Sequence, residues 1–185
     1  MGDATGSEAC LLHLLFAKEG DHFASVSPML RVIARHNLAI LCREQGRDGE
    51  AEAHWHGAIG ERTDYMPCWI GLGELYVNQQ RWPELDNVLA WIDTDAQSAV
   101  DAAVLRGRAA MAQGDFDAAR LGLKAAIAWE PSALLPRVVL SHALLQQGRD
   151  LKAAEAVLRE ILAISPGHAE ATRNLAVLTR QLEQA

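Results

Sequence analysis

The stretch AMAQGDFDAARLGLKAAIAWEP, residues 110–131, decides how the chain is read. It sets a glycine at 114, an alanine at 119 and a proline at 131. A looser copy, LLQQGRDLKAAEAVLREILAISP, occupies residues 144–166, and another, CREQGRDGEAEAHWHGAIGER, residues 42–62. Gly46 and Gly114 are 68 residues apart, twice 34, and Gly148 follows Gly114 by 34. Midway between the first two lies Gln80, in VNQQRWPEL. The chain therefore repeats with a period of 34, one turn being written with Gln instead of Gly.

Other columns keep the same register. Five residues after the turn stand Ala51, Leu85 and Ala119, and Ala154 if one residue is inserted after Gly148. Nine after it stand Trp55, Leu89 and Leu123, with Leu158 after the same insertion. Ahead of the turn stand Leu38–Ala39, Leu72–Gly73, Arg106–Gly107 and Leu140–Ser141. A turn glycine closes one helix in the left-handed conformation, and Pro131 or Pro166 stops the next. Small residues let two helix axes approach, and large ones fill the space between layers. Helices of a dozen residues are marginal alone in water. Each unit buries its apolar face against the next, so stability is a nearest-neighbour sum.

These columns resemble the tetratricopeptide repeat, a 34-residue helix–turn–helix unit. WIGLGELY, residues 69–76, is similar to the family's first helix, and GDFDAARLGLKAAIAWEP, residues 114–131, to its second. The resemblance implies an all-α, right-handed α-solenoid of stacked helix–turn–helix repeats at 32–65, 66–99, 100–133 and 134–168. A helix over 169–183, with Arg173, Arg180 and Glu183 on its outer side, then serves as a solvating cap within a C-terminal segment 169–185. Three departures stand out: Gln80 at the turn, no closing Pro in the second copy, and Arg106 in an apolar column.

Residues 1–31 form an N-terminal helix and loop. SEACLLHLLFAKEG predicts a helix from an N-cap at Ser7 to Glu19 or Gly20, and DHFAS a loop. Ser27–Pro28 offers a cap followed by Pro at the first helical position, so the next helix starts at Pro28. A lone helix ahead of the first hairpin implies a special cap or a chain cut from a larger protein, and we expect the cut. Leu11, Leu12, Leu14, Leu15 and Phe16 on this helix suggest self-association with a second copy.

Of 185 residues, half are apolar and only 5% aromatic, a composition that favours helix. The net charge of −7, with acids and bases interleaved, argues against nucleic-acid binding. The run Cys10–Ala17 is too short to span a bilayer, and MGDATGSEA lacks the basic start of a signal peptide. Cys10, Cys42 and Cys68 match no zinc or redox spacing and suit a reducing compartment, so a cytoplasmic protein is expected.

No motif for a nucleophile, a phosphate loop, a dinucleotide or a zinc site occurs. We expect no catalysis, cofactor or metal. His54 and His56 lie two apart on a helix, point in different directions and read as surface residues. The GLGELY stretch belongs to the helix's own small-residue columns. The acid pairs Glu50–Glu52 and Asp115–Asp117 favour the positive ends of helices.

The resemblance also implies a working surface, a groove lined by the second, fifth, ninth, twelfth and thirteenth positions of each first helix. The candidates are His36, Ile40, Arg43 and Glu44; Ile70, Glu74, Val77 and Asn78; Asp101, Val104, Arg108, Met111 and Ala112. Leu135, Val138, His142, Leu145 and Gln146 follow, then Arg173 and Arg180. Their mix of apolar and charged side chains suits a protein or peptide ligand oriented by Arg108, Arg173 or Glu74. No Lys stands at the fifth positions, which sets aside the clamp that holds the carboxylate of a chaperone tail.

Parts of the chain, RHNLAILCREQGRDGEAEAHWHGAI and VLSHALLQQGRDLKAAEAVLREILAISPGHAEATRNLAVL among them, also look like the helical C-terminal region of some bacterial family-two glycosyltransferases. Two functions are thus open. One is a non-catalytic scaffold that binds a partner through its groove. The other is an accessory module that positions an acceptor for a glycosyltransferase-like enzyme whose catalytic domain lies outside this chain.

Overall fold

A computed structural model describes residues 4–16 and 27–183. The expected loop over 21–25 and the expected helix end at 19–20 lie outside the described residues. The helices are α1 (Ala4–Phe16), α2 (Pro28–Glu44), α3 (Asp48–Glu61), α4 (Met66–Asn78) and α5 (Trp82–Ile92). There follow a short 3-10 turn at Ala96–Ser98, then α6 (Ala99–Ala112), α7 (Phe116–Trp129), α8 (Leu135–Gln147), α9 (Leu151–Ile164) and α10 (Ala169–Glu183). No strand occurs among the described residues. α1 starts at Ala4, so Ser7 lies inside it rather than capping it.

The chain divides into two compact units, residues 1–94 and 95–185. In the first, α1 lies on α2, α2 and α3 form one hairpin, and α4 and α5 the next. In the second, α6 pairs with α7 and α8 with α9, and α10 lies on α9.

The turns follow from the 34-residue period. Gly46, Gly114 and Gly148 all have positive φ, and Gln80, which holds the same column, adopts φ 57°. At three of them the next residue's N–H reaches back five residues: Arg47 to Cys42 O, Arg81 to Tyr76 O and Asp115 to Ala110 O, at 2.8–2.9 Å. The hydrogen bonds of the closing turn thus impose the left-handed conformation even where the side chain disfavours it. Asp115 and Asp150 cap α7 and α9 by accepting from the N–H groups of Ala118 and Ala153, each at 2.9 Å.

Packing follows the columns. Ala51, Leu85, Ala119 and Ala154 are buried, as are Trp55, Leu89, Leu123 and Leu158. Each large apolar side chain fully buried here contributes about 1.5–3 kcal/mol relative to exposure. Gly71 lets α4 lie directly on the Trp55 indole of α3: a Cβ there would sit 2.5 Å from the ring. Arg106 departs from its column and is exposed, whereas Leu38, Leu72 and Leu140 are buried.

Glu52 does more than favour a helix end. Its carboxylate accepts from Tyr76 Oη at 2.9 Å and from Arg81 at 2.8 Å, and the Arg81 guanidinium stands 4.5 Å over the Tyr76 ring. This ties α3 to the end of α4 and to the Gln80 turn. The hydrogen bonds from Arg81 and Tyr76 hold the Glu52 carboxyl below its ordinary value. Burial and the Glu52 partner push the Tyr76 phenol up.

Candidate functional site

Within each unit the first helices of successive hairpins touch, α2 with α4 and α6 with α8. Side chains at the ninth and twelfth register positions therefore meet across them. In residues 1–94 the guanidinium of Arg43 on α2 donates to Glu74 on α4 at 2.9 Å, both half-buried. Ile40 and Asn78 are exposed on the same helices, and Ile70 is half-buried. Arg43 and Glu74 thus neutralise one another. Val77, expected on this face, is buried in the core instead.

His36 does not serve as an open groove residue. Trp55 Nε1 donates to its Nδ1 at 3.2 Å, and the Cys68 thiol lies 3.8 Å from the same atom. The Tyr65 ring meets it edge-on, with centroids 5.7 Å apart. An indole N–H can only donate, so Nδ1 is the unprotonated nitrogen. Burial lowers the pKa of His36 below the ordinary histidine value, in keeping with this neutral ring. The histidine joins α2, α3 and α4 because the Trp55 N–H needs an acceptor inside the hairpin.

In residues 95–185 the first helices are α6, α8 and α10. Val104 is a correction: at 3% exposure it belongs to the core with Leu123, Val139, Leu140 and Leu158. Position five of α6 packs against α7 and α8 and cannot meet a ligand. Met111, Val138 and Leu145 are half-buried, seated on that core with one side open. Leu135 is exposed, Arg108 is half-buried and Arg173 is exposed. His142 Nε2 lies 2.8 Å from Glu170 Oε1, which joins α8 to α10. The outcome is an apolar floor on α6 and α8 with charged groups along its rims.

Glu170 and Val177 on α10 were missed as face residues. The signal was present, for continuing the register into residues 169–183 puts Glu170, Arg173, Val177 and Arg180 at positions two, five, nine and twelve. The groove candidates took only Arg173 and Arg180 from this helix and passed over positions two and nine.

Nucleophilic chemistry finds little support in the two buried thiols. Cys42 and Cys68 are buried, and burial pushes the Cys68 thiol up to about 12, which keeps it protonated. Among the described residues no group of three or more His, Cys, Asp or Glu could hold a metal ion. None of the described helices is long and apolar enough to cross a membrane. The α1 leucines at 11, 12, 14 and 15 are half-buried, since α1 lies on α2.

No family model and no curated protein matches the sequence. Solved structures do match. A thermophilic TPR protein of Thermus thermophilus is 21% identical, with a TM-score of 0.72 over 95% of this chain and 92% of that one. A tetratricopeptide repeat protein of Parabacteroides merdae ATCC 43184 is 15% identical, with a TM-score of 0.63 over 98% of this chain and 68% of that one. MamA, residues 41 to the end, of Desulfovibrio magneticus RS-1 is 16% identical, with a TM-score of 0.56 over 91% and 99% of the two chains. At these identities the likeness concerns fold, and it agrees with the turn register and the buried columns: this chain has the tetratricopeptide-repeat fold, with helices and no strand among its described residues.

Proposed function

We propose that the chain is a non-catalytic scaffold whose first-helix face binds a peptide or a segment of a partner protein. One observation carries this reading. Along α6 and α8 the register positions hold Met111, Val138 and Leu145 half-buried, with exposed Leu135 beside them and Arg108 and the His142–Glu170 pair at the rims. An apolar floor with oriented charges buries a few ligand side chains and sets their direction. Arg43, Glu74, Ile40, Ile70 and Asn78 form the corresponding face in residues 1–94. His36 and Val104 are left out, for the reasons above. Self-association through α1 would have to use what the half-buried leucines leave open. The accessory-module reading has the sequence resemblance for it, and the side-chain arrangement adds nothing to it.

The test is selection of a random peptide display library on the full chain, followed by binding of the enriched peptides to Leu135→Asp and Ile40→Asp. Circular dichroism checks that both variants stay helical. Binding lost in either variant supports the face. Enriched peptides that bind both variants as they bind the parent chain, or a library that yields none, would sink the proposal.

A further inference from the structure

The face proposed above extends onto α10. There it meets Arg173, Val177 and Arg180, whose spacing of four and then three residues places them within about 60° of one another around the helix. The two arginines stand about 10 Å apart along the axis. All three side chains are exposed, Val177 to 55%. Arg173 and Arg180 make no hydrogen bond or ion pair with any described residue. In the same unit Arg137 pairs with Glu160 at 3.1 Å and Arg159 with Glu155 at 2.6 Å. The chain carries 24 acidic residues against 17 basic ones, so intramolecular carboxylates are abundant. The His142–Glu170 contact joins the start of α10 to α8, and the stripe continues the same register positions. An exposed valine stands between the two charges.

We infer that this stripe docks an acidic amphipathic helix of a partner protein, with carboxylates seven residues apart and an aliphatic side chain between them. The inference rests on the first-helix reading. Cation, apolar residue and cation at helical spacing are matched by acid, apolar residue and acid at helical spacing. Contact over Val177 removes water from between the two ion pairs, which makes each stronger than on an open surface. The chain's net charge of −7 repels an acidic segment elsewhere, so the stripe also sets where it lands.

The probe is an acetylated, amidated, alanine-based helical peptide with Glu at two positions seven apart and Leu between them. It is compared with versions carrying Gln or Lys at those positions. Binding to the full chain is read by fluorescence anisotropy. The Glu peptide should bind about tenfold more tightly than the Gln peptide, as two ion pairs near the upper end for exposed contacts allow. The double variant Arg173→Glu/Arg180→Glu should lose that preference and bind the Lys peptide better than the parent chain does. Both positions are exposed, and helical content confirms that the variant folds. Val177→Asp should weaken the Glu peptide without reversing the preference. Failure of the Glu peptide to bind, equal binding of the Glu and Gln peptides, or a preference that survives charge reversal each overturns the inference. So does a dimer of the parent chain that the reversal dissociates, since a second copy would then occupy the stripe. Equal binding of both peptides that Leu135→Asp abolishes overturns only the acidic partner and leaves the first-helix face standing.

Discussion

Replacing Gly71 by Ala inverts what the sequence alone suggests. Gly71 lies inside α4, where alanine ordinarily stabilises a helix by up to about 1 kcal/mol. The structure opposes that gain, because the new methyl would sit 2.5 Å from Cε2 and Cζ2 of Trp55. The indole has little room to yield: it is 1% exposed, and its Nε1 is held by His36 Nδ1 at 3.2 Å. Overpacking of this kind costs about 1–3 kcal/mol. Loss of the indole hydrogen bond adds about 1 kcal/mol. Set against the helix gain, the net expectation is destabilisation by about 1–3 kcal/mol. For a small domain that lowers the urea midpoint by on the order of 1 M. Tryptophan fluorescence suits the assay, since Trp55, Trp69, Trp82 and Trp91 lie in residues 1–94 and only Trp129 lies beyond. Gly122→Ala is the control: it is exposed in α7, and nothing lies within 4 Å of its added methyl. It should stabilise by up to about 1 kcal/mol, read by far-UV circular dichroism. If Gly71→Ala unfolded at the same urea concentration as the parent chain, or a higher one, the close α3–α4 approach would be wrong.

Gln80→Gly should stabilise the chain by about 1 kcal/mol, because a left-handed residue with a Cβ is strained, and Gly114→Ala should destabilise it by a similar amount; thermal unfolding checks both signs. His36 and His54 have pKa values lowered by burial, so the unfolded chain binds more protons once pH falls below the ordinary histidine value near 6.5. Stability should therefore be full above that pH and decline on acidification toward the folded values. His36→Phe should flatten the decline in urea titrations run from pH 7 to 5, and an unchanged slope would remove His36 from the account. Cys10 is exposed, whereas Cys42 and Cys68 are buried with their thiols pushed up, so a maleimide at neutral pH should label one thiol per folded chain and three after unfolding.

Much of the helical architecture is legible along the chain. The 34-residue spacing of Gly46, Gln80, Gly114 and Gly148 marks each left-handed turn, including the one without glycine. The buried columns at Ala51 and Trp55 recur at Ala119 and Leu123 because every hairpin repeats the same local contact. Which register residues remain open to a ligand is less legible. Val104 and Val138 hold the same position in consecutive copies, yet the first is core and the second half-open. His36 and Val138 also share that position, and His36 is drawn inward by the N–H of a tryptophan 19 residues away. Glu52 looks like an ordinary helix-start acid until Tyr76 and Arg81 arrive beside it from the next hairpin.

By itself, then, the sequence determined the period, the turns, the all-helical class and the columns that pack, since these depend on backbone propensity and on contacts repeated between nearest neighbours. Only the tertiary structure decided which charges are spent on one another, which helix glycines lie against a neighbouring side chain and which face residues stay open. Those outcomes depend on side chains from different helices competing for the same partner, and a repeat pattern records that a position is occupied without recording what stands opposite it.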